Sequence, residues 1–160
     1  MAPEQCFVNR FNDLEHEYIT ADLNSPIADI RANITDLPFE ENTFDIIFCN
    51  HVLEHIQDDT KAMKELYRVM KKGGMGVFQI PQDLNRETTF EDNSITDKKE
   101  RAKIFGQYDH VRIYGLDYFD KLRSIGFKVE EVNYSRKISS ELSSRYRLME
   151  GELLPVVFKN

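Results

Sequence analysis

The sequence contains no tryptophan, only two cysteines and seven glycines, and no long uninterrupted apolar run. Because a membrane-spanning helix needs about 18 consecutive apolar residues, we expect no transmembrane segment. Residues 1–11 also lack the apolar core of a secretory signal peptide. Cys6 and Cys49 are too few for a disulfide framework, so the sequence favours a reducing cytoplasm, with Cys49 acting as a small buried hydrophobic residue.

A basic surface is also missing, because 21 lysines and arginines face 28 aspartates and glutamates, giving a formal net charge of -7. Phosphate backbones require basic faces, so no nucleic-acid partner is expected. The sequence holds no nucleophile elbow, no cysteine-pair metal motif and no phosphate-binding Gly-Lys-Ser/Thr loop. The segment "KKGGMG" lies between a helix and a strand, the reverse of the strand-to-helix order of phosphate loops.

What the sequence does contain is an alternation of helical and strand patterns. Helices are predicted over residues 4–14, 58–72, 97–105 and 116–125, and strands over 17–22, 30–34, 44–49, 75–81, 128–134 and 153–159. This order is typical of an α/β, doubly wound, mostly parallel sheet covered on both faces. Residues 1–160 are interpreted as a single domain, in which the polar stretch 82–115 is an insertion or lid.

The sequence also predicts the burial of one strand, the end of the second helix and the orientation of the last predicted helix. Residues 44–49 form an apolar run of the kind that makes a fully buried strand. Gly73 is expected to end the second helix in a left-handed conformation. The last helix is expected to direct four apolar side chains inward, namely Leu116, Phe119, Leu122 and Ile125.

Polar residues follow three of the predicted strands, where ligands bind at the carboxyl edge of a parallel sheet. Asp22 could accept hydrogen bonds from ribose hydroxyls, although a strand-end aspartate is also a common turn cap. Asn33 or Asp36 with a following backbone N–H could bind an adenine, and the alternative is that Asp36 simply shapes the loop before Pro38. Asn50 and His51 end the third strand, where a turn and a packed histidine are the alternative interpretation.

The histidines at this strand end also raise the question of a metal. On a helix, His51 and His55 would share one face, but Glu54 would not lie on it, so a third ligand is missing. We therefore expect no metal site. A second polar and aromatic group lies in the long stretch just before a helix and comprises Tyr108, His110, Arg112 and Tyr114.

In this order the segments "ADL", "NITDLPFEENTFDIIFCNHVLEHI", "ELYRVMKKGGMGVFQIP" and "YFDKLRSIGFKVEEV" resemble a class I S-adenosylmethionine-dependent methyltransferase of the type 11 group. The resemblance covers roughly residues 4–135. It implies a Rossmann-like fold, S-adenosylmethionine as cofactor and a transferase activity. It also implies that the strand running into Asn50 and His51 corresponds to the family's fourth strand, whose tip lies beside the transferable methyl.

The resemblance also implies a set of cofactor-binding residues, comprising Asp22, Leu23, Asn33, Ile34, Asn50 and His51. Asp22 matches the acidic residue that holds the ribose hydroxyls. Asn33 stands where the family usually has an aspartate for the adenine amino group, and the Ile34 N–H would read the ring. Methyl transfer needs mainly in-line positioning, so a general base is optional, with Tyr108 or His110 as the candidates.

The sequence departs from the family at its beginning, where the first strand and its glycine-rich loop should precede the first helix. Residues 1–4 could be a divergent form of that loop, and the domain is otherwise interpreted as N-terminally truncated. Its absence would leave strand edges that neighbouring strands, or a homodimer formed through those edges, could cover.

We therefore predict a methyltransferase acting on a small polar molecule, with residues 82–115 shaping the acceptor pocket. The alternative is a non-catalytic binding or scaffold domain that descends from a methyltransferase and has lost its donor site. A nicotinamide-dependent dehydrogenase is less compatible, because it also requires the missing glycine loop.

Overall fold

Helices and strands alternate along the computed structural model, which describes residues 5–12 and 17–160. The helices are α1 (Gln5–Asn12), α2 (Asp59–Val69), α3 (Lys98–Phe105), α4 (Tyr118–Ile125) and α5 (Ser140–Arg145). The strands are β1 (Ala21–Asp22), β2 (Ile30–Arg31), β3 (Phe44–Phe48), β4 (Met70–Val77), β5 (Phe90–Glu91), β6 (Arg112–Ile113), β7 (Lys128–Val132) and β8 (Leu154–Phe158). Single 3-10 turns cover Leu53–His55 and Tyr134–Arg136.

The main sheet has four strands in the order β3-β4-β8-β7. Strands β3 and β4 are parallel, whereas β8 is antiparallel to both β4 and β7. Three strands therefore run in one direction and β8 runs against them. A short parallel pair, β1–β2, and an antiparallel pair, β5–β6, complete the strands of the described chain. The predicted α/β, doubly wound architecture is confirmed, and the reversed strand adds a feature that the sequence pattern did not predict.

Helix α2 forms where the sequence places a cap and an apolar stripe. The Asp58 side chain accepts a hydrogen bond from the Lys61 N–H at 2.8 Å and so satisfies one of the free donors of the first turn. The apolar stripe, which is buried in the core, comprises Ala62, Met63, Leu66 and Val69. None of the described helices has the length and apolar character that crossing a bilayer requires.

The end of α2 differs from the prediction. The helix ends at Val69, and its C-cap is Met70, which is already extended. Met70 pairs with Phe44 of β3, so pairing in the sheet takes over from the helix directly. Gly73 does have a left-handed φ of 78°, but it lies within β4, where its N–H donates to the Lys159 carbonyl at 2.7 Å. Its assignment as the helix cap was wrong.

Strand β3 is not buried along its whole length, which corrects the expectation for residues 44–49. Ile47 and Cys49 are buried, whereas Ile46 is 54% exposed. The reason is that β3 has a strand neighbour on one side only, within the described sheet. Phe48 contacts α1 instead, with its ring centroid 5.4 Å from that of Phe7.

Cys49, which directly follows β3, is also buried. The thiol is free and fully buried, and burial raises its pKa to about 12. The ends of the predicted first helix, and the interpretation of residues 1–4 as a divergent loop, lie outside the described residues.

The polar stretch 82–115 is anchored to the rest of the domain, although its sequence shows few core signals. It contains β5, α3 and β6, and its last residues pack into the interior, with Phe105, His110, Val111, Arg112 and Tyr114 buried. Helix α4 follows and buries Phe119 and Leu122, but Leu116 is 45% exposed, so its predicted inward orientation was wrong. Leu116 precedes the helix, which begins only at Tyr118.

Candidate functional site

The predicted site residues of β1 and β2 lie side by side at the carboxyl ends of two parallel strands. Asp22 pairs in register with Arg31. The Asp22 Oδ1 atom accepts hydrogen bonds from the backbone N–H groups of Asn24 and Ser25, at 2.8 and 2.7 Å. These bonds form a turn and fix the orientation of the carboxylate. The next residue, Leu23, is exposed, and its carbonyl accepts a hydrogen bond from Arg31 Nε at 3.1 Å.

Asn33 follows β2 and also shapes a turn. Its side-chain oxygen accepts hydrogen bonds from the Thr35 N–H and hydroxyl, both at 3.0 Å. Its backbone oxygen accepts the Asp36 N–H at 2.9 Å. Ile34 between them is buried and holds the loop against the core. The side chain of Asn33 is thus engaged in the protein's own turn.

Asn50 and His51 follow β3, at the carboxyl end of this strand in the four-stranded sheet. The backbone N–H of His51 donates to the Gln79 carbonyl at 2.8 Å, which extends the pairing between β3 and the segment after β4. His51 has a φ of 50°, a left-handed conformation that costs free energy in a residue with a side chain. This conformation directs the chain into the 3-10 turn and leaves the His51 side chain 62% exposed.

Glu54 lies in that turn and is almost completely buried, with 1% of its side chain exposed. Its Oε1 atom is 3.5 Å from His51 Nδ1 and 4.0 Å from His55 Nε2. Both distances exceed an ordinary hydrogen bond. Because Leu53–His55 is a 3-10 turn and not part of an α-helix, the α-helical spacing that would separate Glu54 from the histidines is absent here.

His110 of the long stretch reaches the same place. The ring centroids of His55 and His110 are 4.7 Å apart, and the rings are nearly perpendicular. One ligand atom from each of Glu54, His55 and His110 lies within 4.8 Å of the others. We call these three residues the Glu54 cluster. His51 and His110 are far apart in the sequence but close in the structure. His51 lies beside Glu54, and His110 packs against His55.

A buried network lies beside the turn that carries the cluster, where Tyr114 Oη is 3.4 Å from the Leu53 carbonyl oxygen. Tyr114 Oη donates to Asp59 Oδ2 at 2.8 Å, and Lys121 Nζ donates to the same oxygen at 2.7 Å. Burial favours a raised pKa for the Asp59 carboxyl, but the Lys121 hydrogen bond, the charge of Arg112 and the Tyr114 hydroxyl outweigh it and hold that pKa below its usual range. Burial and the Asp59 charge raise the pKa of Tyr114 well above its usual range, so this residue stays a neutral donor.

Tyr108, the other candidate base, is not part of this arrangement. Its side chain is exposed, and the ring lies under Lys98 Nζ, at 5.6 Å from the centroid. His110 is the residue of that pair that is buried beside the turn after β3.

Two cavities of the described chain lie away from these residues. One of about 540 Å³ runs along β3 and is lined by residues that include Phe11, Ala21, Ile46 and Phe48. Another, of about 600 Å³, lies beside α5. Neither is lined by the predicted cofactor residues, so those residues are supported by their position at the strand ends and not by a closed pocket.

The fold and the polar strand ends define the class as a Rossmann-like α/β domain of the methyltransferase type. Residues 10–78 match the family model described as a methyltransferase domain, of the type 11 group. This match identifies residues 10–78 as a segment of the methyltransferase type, and S-adenosylmethionine is the cofactor that the family and the solved neighbours indicate.

An uncharacterized protein of Methanocaldococcus jannaschii is 42% identical over 127 residues, which cover 74% of this chain and 55% of that protein. The chain thus spans about half the length of this curated relative.

Two solved structures share the fold. One is the 1,6-didemethyltoxoflavin-N1-methyltransferase of Burkholderia thailandensis, solved with 1,6-didemethyltoxoflavin and S-adenosylhomocysteine. Its TM-score is 0.60 and its sequence identity is 14%, and the alignment covers 96% of this chain and 65% of that one. The other is an S-adenosylmethionine-dependent methyltransferase of Mesorhizobium loti, with a TM-score of 0.52, 15% identity, and coverage of 83% and 70%.

From the sequence, Glu54 was set aside as lying on a different helical face, and His110 was not connected with His55. Glu54 follows two apolar residues in a segment that reads as a short helix, so its burial gave no local signal. His110 reaches it only because the chain returns after α3, where the Val111 N–H donates to the Glu54 carbonyl at 2.9 Å.

Proposed function

We propose that this chain binds S-adenosylmethionine across the carboxyl ends of β1, β2 and β3 and transfers its methyl group to a small polar acceptor. The observation that carries the proposal is the order of polar residues at these strand ends inside the segment that matches the family. Asp22, Asn33, Asn50 and His51 all fall within residues 10–78. Each lies at or just after the carboxyl end of a parallel strand, where α/β sheets bind their ligands.

The geometry of Asp22 is compatible with a ribose. Its Oδ1 atom is oriented by two backbone N–H groups, and an ionised carboxylate has about four acceptor positions in total. The remaining capacity can receive the two hydroxyls of a ribose. Asn33 and the N–H of Ile34 would face the adenine, although Asn33 must then share its side-chain oxygen with Thr35. Leu23, which is exposed beside Asp22, would cover the nucleoside.

The reaction asks little of acid–base chemistry. The methyl carbon of the sulfonium is already electrophilic, so the protein mainly has to align an acceptor with the carbon–sulfur bond. Asn50 and His51 would lie at the methionine end of the cofactor. Residues 82–115 would form the acceptor side of the site, because His110 brings this stretch to the turn after β3. The mixed charge of the stretch favours a polar acceptor over a lipid.

Thermal unfolding with S-adenosylhomocysteine tests the proposal. Ligand at about 100 times its dissociation constant should add about 2.7 kcal/mol to the free energy of unfolding. For a domain of this size, the midpoint should rise by roughly 5–10 °C. Asp22→Ala should abolish that rise. No rise at millimolar ligand would contradict the proposal and favour a binding or scaffold domain.

Asp92→Ala provides the matched control. Asp92 Oδ1 also accepts hydrogen bonds within a turn, from the Ser94 N–H at 2.9 Å and the Ser94 hydroxyl at 2.6 Å, but it lies in the 82–115 stretch after β5. This variant removes a comparable turn and should keep the full ligand-induced rise. The cytoplasmic location and a homodimer through strand edges stay predictions from the sequence.

A further inference from the structure

The Glu54 carboxylate is buried without the partners that such a group requires. Its side chain is 1% exposed, and its Oε2 atom has no hydrogen-bond partner among the described residues. The ionic neighbours of Oε1 in the described chain are two imidazoles, those of His51 and His55, and neither is within hydrogen-bond distance. A buried carboxylate in this position is costly unless a cation or a donor completes it.

The neighbouring histidines are oriented as metal-binding histidines are. His110 Nδ1 lies 3.2 Å from the Phe105 carbonyl, which favours the tautomer with a proton on Nδ1 and a lone pair on Nε2. His55 Nδ1 lies 3.5 Å from Asp109 Oδ2, while its Nε2 faces Glu54. In metal sites, the second ring nitrogen of a ligating histidine is commonly held by a carbonyl or a carboxylate in this manner.

We propose that the Glu54 cluster, comprising Glu54, His55 and His110, binds a divalent first-row transition metal ion. One carboxylate and two imidazoles are a ligand set that suits zinc and its neighbours, whereas magnesium and calcium prefer oxygen ligands. The ligand atoms lie within 4.8 Å of one another. Two bonds of about 2.1 Å span at most about 4.2 Å, so a small side-chain rotation closes the site.

His51 lies on the exposed side of this cluster. Its Nδ1 atom is 3.5 Å from Glu54 Oε1, and 62% of its side chain is exposed. The left-handed backbone at His51 holds the imidazole there at a conformational cost, which is typical of residues kept for function. His51 can therefore serve as a fourth ligand that gives way to water or to a substrate oxygen, as in metal sites with an open position.

A role for this metal in methyl transfer rests on the proposed function, whereas metal binding itself does not. The cluster lies in the turn directly after Asn50 and His51, the end proposed for the transferable methyl. An acceptor hydroxyl bound to the metal would lose its proton to water more readily. Its oxygen would then attack the methyl carbon as the carbon–sulfur bond breaks, giving a methyl ether and S-adenosylhomocysteine.

The test uses the full chain without a polyhistidine tag, stripped with a chelator and titrated with zinc chloride in a calorimeter. We expect one ion per chain. Glu54→Gln and His110→Ala should each weaken zinc binding by about 10-fold or more. Glu130→Gln, an exposed glutamate at which the charge change is the same, should leave it unchanged. Absence of binding, or equal affinity in all of these variants, would overturn the proposal.

A second variant guards against misfolding of the buried substitutions. His51→Ala changes an exposed side chain, and it should weaken zinc binding by about fivefold or more while the circular dichroism spectrum stays that of the parent. If the spectrum and the affinity are both unchanged, His51 is not a ligand and that part of the proposal is wrong. The S-adenosylhomocysteine experiment is independent, so zinc binding without a cofactor-induced shift would support the metal site and contradict the proposed function.

Discussion

Arg112 donates a hydrogen bond from Nη1 to the carbonyl oxygen of Leu53 at 2.9 Å, and so fastens the start of the turn that carries Glu54. The guanidinium also donates to the carbonyl oxygens of Ile56 and Gln57. Its Nη2 atom lies 3.0 Å from Glu91 Oε2, and the side chain is only 1% exposed. One buried cation thus holds the chain on both sides of Glu54, and the stretch that contributes His110 is attached by the same residue.

Replacing Arg112 with methionine is expected to destabilise the protein by about 3–5 kcal/mol. Methionine fills much of the volume of the arginine side chain. It leaves the carbonyl oxygens of Leu53, Ile56 and Gln57 without this donor, and it removes the positive charge beside Asp59 and Glu91. Urea denaturation followed by circular dichroism measures the loss.

Arg123→Met is the matched control for this change. Arg123 also forms ion pairs, with Asp120 and Glu131, but its side chain is 41% exposed. Exposed pairs contribute about 0–1 kcal/mol, so this variant should be close to the parent. Equal losses in the two variants would show that burial of Arg112 does not matter.

The Asp59 network makes stability depend on pH. The folded-state pKa of Asp59 is lowered from its ordinary value of 3.8, so its contribution is fully present above that value and is lost as the pH falls through the folded-state pKa. We expect Asp59→Asn to be less stable than the parent by about 1–3 kcal/mol at pH 7. The difference between the two proteins should shrink below about pH 4, where the unfolded parent binds a proton that the variant cannot.

Urea unfolding of both proteins at several pH values between 7 and 3 measures this difference. Using the difference removes the contribution of the other carboxyl groups, which titrate alike in the two chains. A gap that stays constant or widens as the pH falls would mean that Asp59 does not carry the effect.

The sequence was most informative where local pattern and tertiary packing agree. Helix α2 has its cap at Asp58 and its apolar stripe at regular spacing, and the structure buries that stripe. The same reasoning failed at Gly73, because the pairing of Met70 with β3 ends the helix earlier than a local C-cap signal can show. It failed at Ile46 because burial of a strand depends on which strands flank it.

The candidate site depended on contacts between distant segments. His110, Arg112 and Tyr114 are buried although they are polar, since each finds a partner in the turn after β3 or in α2. Contacts between residues so far apart in the chain produce no periodic pattern in a single sequence. Polar residues at strand ends could be predicted from the alternation of elements, whereas the convergence of Glu54, His55 and His110 could not.

The region around the start of α4 offers a direct test of how this helix packs. Leu122 is fully buried in the hydrophobic core, whereas Leu116 is 45% exposed. Leu122→Ala should therefore lower the free energy of unfolding by about 2–5 kcal/mol, since it removes buried methyl groups and leaves a cavity. Leu116→Ala makes the same chemical change outside the helix and should cost less than about 1 kcal/mol. Urea unfolding of the two variants compares them under one condition. A large loss for Leu116→Ala would restore the inward orientation that the sequence pattern predicted and would contradict the structure of this segment.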